Sequence, residues 1–213
     1  MRTALVYASA AGVLLLTRYA PDFSALGPTG ALFAWLTFVT AVTTLVPAGA
    51  VVVGLRKPLS AFDLRAFGLG WGRSRRDALW VALAVAGAVV AAALVSRAPE
   101  VRAFYPRLQL VKTEPLWWIP STLAFAAYGL SWEALFRGHL LIGVIDRLGA
   151  WAIVAQTVPF ALAHVDKPPL ELALSIPGGL FFGAAAYRTR SVLPGFLVHF
   201  TLSASVNLFC AYG

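Results

Sequence analysis

One cysteine, Cys210, and one methionine occur in 213 residues. A lone thiol excludes an intrachain disulfide framework and a cysteine-metal cluster. Charge is scarce as well: Asp, Glu, Lys and Arg make up 12% of the chain, against roughly 25% in ordinary soluble domains. Disorder is excluded, because a disordered chain needs low hydrophobicity and high charge. The glycines follow no triplet period, which excludes a collagen-like rod. Apolar side chains stand where the charges would be, at 60% of the chain, with mean hydropathy +0.78. A soluble domain of this size has no interior large enough to hide them, so the composition implies an integral membrane protein.

The 17 Lys and Arg exceed the nine acidic residues and give a formal charge of +8. In a soluble protein that excess would point to nucleic acid. Here the basic residues sit in short runs between apolar segments, where anionic lipid and insertion topology account for them, and no nucleic-acid partner is expected.

A helix needs about 20 apolar residues to cross the hydrocarbon core. About seven segments are candidates: Ala4 to Leu16, Thr29 to Leu55, Ala78 to Val95, Leu116 to Ile145, Ala150 to Val165, Leu172 to Tyr187 and Val192 to Tyr212. The expected fold is an all-α polytopic helix bundle forming a single integral membrane domain over 1–213, with 1–115 carrying the first spans and a basic loop. The first segment is short and follows Arg2, as in a signal peptide, but six more apolar segments come after it, and a retained span is expected. Pro47 predicts a kink in the second segment. Leu116 to Ile145 is too long for one straight span and contains Pro120, Gly129, Glu133, Arg137 and His139, so a tilted or broken helix is expected. The basic connection from Arg56 to Asp77 contains AFDLRAFGLGW and reads as a cytoplasmic loop on the membrane surface. That choice puts Arg2, Asp146, Arg147, Arg188 and Arg190 inside. The basic loop from Ser96 to Pro115 then falls outside.

Ionisable residues at membrane depth are costly unless paired or facing a cavity, which makes each a functional candidate. They are Glu133, Arg137 and His139 in the fourth segment, His164 at the end of the fifth and His199 in the last. Glu133 and Arg137 share a helix face one turn apart, as a catalytic pair or as an ion pair that only fastens helices. His164 lies near a boundary, where a hydrogen-bonding role is the plainer reading. His139 reads as interfacial. His199 sits about 12 Å into its span, with Ser203 and Asn207 on the same face, a seam that also suits helix association. One Glu and two His gathered in a membrane cavity have a definite chemistry. The carboxylate takes a proton from water while the imidazoles orient that water, hold the oxyanion or protonate the leaving amine.

The strings SWEALFRGHL, FALAH and HFTLSASVN, in that order on separate segments, resemble the CAAX protease and bacteriocin-processing family of intramembrane endopeptidases, also called ABI or Rce1-like. That family carries Glu-Glu-x-x-x-Arg, Phe-x-x-x-His and His-x-x-x-Asn/Asp motifs. The resemblance covers about Leu116 to Tyr212, within a family core of 116–213. Glu133, Arg137, Phe160, His164 and His199 match motif positions. Trp132 stands where the pattern has its first glutamate, and Ser203 where it has Asn or Asp.

The resemblance implies a bundle whose motif residues converge in a polar, water-accessible cavity, with glutamic-type peptide hydrolysis and no cofactor. Glu133, Arg137, His164 and His199 would be catalytic, with Phe160, Ser203 and Asn207 in support. Substrates would be membrane proteins or C-terminal anchor segments, as in the myxosortase-like branch, and the location a cell inner membrane, crossed several times. Two alternatives remain at this stage. One is a non-catalytic binding or immunity scaffold of the same fold, and the other a transporter or metal enzyme with Glu133, His164 and His199 as zinc ligands.

Overall fold

The computed structural model describes residues 2–55, 68–71 and 77–213. The basic residues Arg56, Lys57, Arg65, Arg73, Arg75 and Arg76, and most of the amphipathic stretch between them, lie outside the described residues.

Among the described residues every regular element is a helix. In hydrocarbon an unpaired backbone group is costly, and a helix satisfies its own. The elements are α1 (Arg2–Arg18), α2 (Gly27–Leu55), α3 (Ala78–Val95), a short α4 (Pro99–Phe104), α5 (Trp118–Glu133), a short α6 (Ile145–Leu148), α7 (Trp151–Leu162), α8 (Pro169–Thr189) and α9 (Leu193–Tyr212). The chain is thus an all-α, multi-pass membrane bundle. The seven apolar segments resolve unequally: Ser24–Val52, Ala78–Val95, Pro169–Thr189 and Leu193–Tyr212 are long and apolar enough to cross, while Thr3–Arg18 and Trp151–Leu162 are shorter apolar helices. The remaining segment is interrupted. Following α5, Ala134–His139 forms a π-helical turn, in which the Leu140 N–H donates to the Leu135 carbonyl at 2.9 Å. The α2 helix runs through Pro47 unbroken.

Contacts at the helix ends sort the charged residues into two groups. At one end Arg147 bonds Thr3 at 3.1 Å, Arg188 pairs with Asp77 at 2.6 Å, and the Ser191 hydroxyl donates to the Gly70 carbonyl at 2.6 Å. At the other, Arg18 pairs with Asp166, Arg102 donates to the Gly213 carbonyl at 3.0 Å, and the Trp118 indole donates to the Tyr212 hydroxyl at 3.0 Å. His164 and the 99–115 connection belong to this second end.

Packing is inverted relative to a soluble domain. Leu79, Leu83, Val90, Leu94, Leu123, Val158 and Ile176 are exposed, whereas Glu133, Arg137, His139, Gln156, Thr189 and Ser191 are buried. An apolar exterior suits lipid. Close approach replaces the hydrophobic effect as the source of helix contact. A Cβ on Gly183 would stand 2.6 Å from Gln156 Nε2, and one on Gly179 2.8 Å from Thr157 Cγ2, so these glycines let α8 lie against α7. Gln156 completes the seam by donating to the Gly179 carbonyl at 2.8 Å. Elsewhere α3 packs on α9, and α2 packs on both α1 and α5.

Candidate active site

The interrupted fourth segment carries Glu133 on the last residue of α5 and Arg137 in the π turn. Such turns re-aim side chains and recur at functional sites. Both side chains are fully buried, and Arg137 Nη1 donates to Glu133 Oε1 at 3.1 Å. From α9, His199 Nδ1 reaches the same oxygen at 2.8 Å. A carboxylate oxygen only accepts, so Nδ1 carries the proton and His199 Nε2 is left with its lone pair. Glu133 Oε2 is buried and accepts no hydrogen bond among the described residues. It lies against Gly195, where a Cβ would stand 3.1 Å from it.

Arg137 is caged as well as paired. Its guanidinium carbon lies 4.1 Å from the Phe160 ring centroid, 5.2 Å from that of Phe182 and 5.8 Å from that of Phe136. A planar, weakly hydrated guanidinium tolerates such faces better than an ammonium would. Phe160 links the two histidines, with its ring 4.6 Å from that of His164 and 5.9 Å from that of His199. Phe182 stacks on His199 at 5.2 Å. His164 lies beyond the last residue of α7 and its Nδ1 is 2.8 Å from the Phe160 carbonyl. That carbonyl only accepts, so Nδ1 is again the protonated nitrogen.

His139 departs from its expected place, and Trp132 and Asn207 find theirs in the packing. Trp132 does not share the direction of Glu133: it is buried in the core, stacked on Phe136 at 5.2 Å and edge-on to Tyr128 at 6.1 Å. His139 is not interfacial but buried, with Nε2 2.9 Å from the Ser9 hydroxyl of α1. Asn207 accepts from the Arg107 N–H at 3.0 Å and donates to the Ser203 carbonyl at 2.8 Å. It therefore anchors the 99–115 connection, and Ser203 itself is exposed. Sequence reasoning passed over Gly195 and Phe182, which carry no reactive group, and over Glu171, Lys167 and Tyr105, which sit outside the apolar segments.

Residues 112–205 match the family model described as type II CAAX prenyl endopeptidase, Rce1-like. Over this stretch the chain resembles the Rce1-like family. The match spans less than half of the chain and includes Glu133, Arg137, Phe160, His164 and His199, ending before Asn207. At the level of the Rce1-like family it supports a membrane endopeptidase. Neither the curated proteins nor the solved structures give a significant match to the chain.

Among the described residues no group of three or more His, Cys, Asp or Glu is arranged to hold a metal ion. A cavity of about 660 Å³ lies between α3 and α9, lined by Trp71, Val81, Val85, Pro194, Leu197 and Thr201. None of the candidate catalytic residues lines it.

Proposed function

We propose that the chain is a glutamic-type intramembrane endopeptidase that hydrolyses a peptide bond in a membrane-anchored protein or C-terminal anchor segment. One observation carries this reading: Glu133 has one oxygen committed to Arg137 and His199, and the other free of protein donors beside Gly195. A general base needs that asymmetry, with one oxygen fixing its orientation and the other left without a protein donor, so that it can accept from a water. Glu133 Oε2 takes a proton from water as the oxygen attacks the scissile carbonyl carbon. Arg137 holds the carboxylate charged and aimed. His199, held through Nδ1, offers Nε2 to the attacking water. His164 stabilises the oxyanion and passes a proton to the leaving amine, so that water and amide become acid and amine. Ser203 and Asn207 support this arrangement at one remove, through the α9 backbone. The 1–213 chain acts as one membrane domain, and a cell inner membrane is the proposed location.

Full burial of Glu133 favours a second reading, a non-catalytic scaffold that holds a hydrophobic peptide. One experiment separates the two. The wild type and Glu133→Gln are expressed in the membranes of the protein's own host, and the C-terminal tails of anchored proteins are compared by mass spectrometry. The protease reading expects a defined processed tail that falls at least about 10²-fold in the variant. Identical tails from two folded proteins would leave the scaffold.

A further inference from the structure

Three side chains outside the three motifs, Glu171, Lys167 and Tyr105, form a cluster that reaches His164 through Glu171. Glu171, in the first turn of α8, accepts a hydrogen bond from the Tyr105 hydroxyl at 2.8 Å through Oε2. Its Oε1 lies 3.5 Å from Lys167 Nζ and 4.0 Å from His164 Nε2. Lys167 also reaches the Tyr105 hydroxyl at 3.4 Å, and its ammonium lies over the Phe104 ring, which Arg107 shares. Tyr105 comes from the connection after α4, and Asn207 fastens that connection to α9 through the Arg107 N–H. Glu171 is thus held from two sides.

Its position bears on a gap in the chemistry. With Nδ1–H committed to the Phe160 carbonyl, a neutral His164 presents only a lone pair at Nε2, which is no use to an oxyanion or a leaving amine. It becomes a donor when Nε2 takes a second proton. Burial holds the His164 imidazole below its ordinary value, and the Glu171 carboxylate acts against that burial; 4.0 Å is ion-pair range without being a direct hydrogen bond. Building on the reading of His164 as proton donor, we infer that Glu171 is the positioning residue that lets His164 carry a proton on Nε2. Lys167 opposes it, both as a nearby positive charge and as a competitor for the same oxygen.

Of the other charged and titratable groups nearby, His199, with the Glu133–Arg137 pair, acts on His164 across Phe160; Asp166 is paired with Arg18 of α1, and Tyr105 and Arg107 of the 99–115 connection act on Glu171 and Lys167. Burial, together with the Glu171 carboxylate, holds the Tyr105 phenol well above its ordinary value, so it remains a donor at physiological pH. Burial lowers the Lys167 amine, and Glu171 pulls it back up.

The test is ring ¹⁵N NMR of the full chain in lipid nanodiscs, with histidine labelled and His164 assigned by its loss in His164→Gln. In the wild type the Nε2 proton should titrate about one pH unit higher than in Glu171→Gln. Lys167→Met should move the midpoint in the opposite direction, and it remains available if Glu171→Gln fails to fold. His139, tied to Ser9, is the internal reference and stays put. Equal His164 midpoints in wild type and Glu171→Gln, or in wild type and Lys167→Met, would overturn the inference. That outcome beside an inactive Glu133→Gln condemns only the role of Glu171. An active Glu133→Gln condemns the protease reading and leaves the midpoints untouched.

Discussion

His199 Nδ1 donates to Glu133 Oε1 across 2.8 Å, joining α9 to the end of α5. That bond fixes which carboxylate oxygen is committed and which faces Gly195, and the proposed chemistry rests on it.

Gly195 leaves room beside Oε2. A methyl group there would stand 3.1 Å away, so in Gly195→Ala the carboxylate must retreat by a few tenths of an ångström. Turnover should drop about 10- to 100-fold, since small misplacements of a base are costly, while the thermal midpoint hardly moves. Kinetics and melting measured on the same preparation check this, and unchanged turnover would remove Gly195 from the site.

Arg137 and Glu133 neutralise each other where neither is exposed. Arg137→Met leaves a buried carboxylate without its main counter-charge and should cost about 3–5 kcal/mol. The double variant Glu133→Gln/Arg137→Met should recover most of that stability and none of the activity. Denaturation in detergent measures the coupling. If the two single losses simply add, no stabilising pair exists.

Trp132→Glu writes the Glu-Glu motif back into the sequence, yet it should not raise activity. The new carboxylate would lie in the aromatic core beside Phe136 and Tyr128, at a cost above about 3 kcal/mol for an unpaired buried charge. Low yield and a collapsed melting transition are expected, whereas a stable, more active variant would show that position 132 turns toward the site.

The buried histidine, His139, serves as a contrast. Ser9→Ala removes the hydroxyl that contacts His139 Nε2 and should cost about 1 kcal/mol with processing intact. Loss of processing at unchanged stability would connect α1 to catalysis.

Composition determined the membrane class, with 60% apolar residues and 12% charged, and the length of the continuous apolar segments determined the helical fold, because a helix satisfies its own backbone in lipid. Spacing alone paired Glu133 with Arg137, because neighbours four apart lie on one helix face. The resemblance to the family motif, rather than spacing, put Phe160 with His164, and the two are joined by ring contact and by a bond to the Phe160 carbonyl. Tertiary structure decided what spacing cannot express. Whether Trp132 or Glu133 meets His199 depends on how α5 is rotated against α9, and sequence distance carries no information about that rotation. His139 looked interfacial by its place in the segment, until α1 packed over it. Glu171 and Tyr105, 66 residues apart, meet beside His164 only because α8 and the 99–115 connection reach the same end of the bundle.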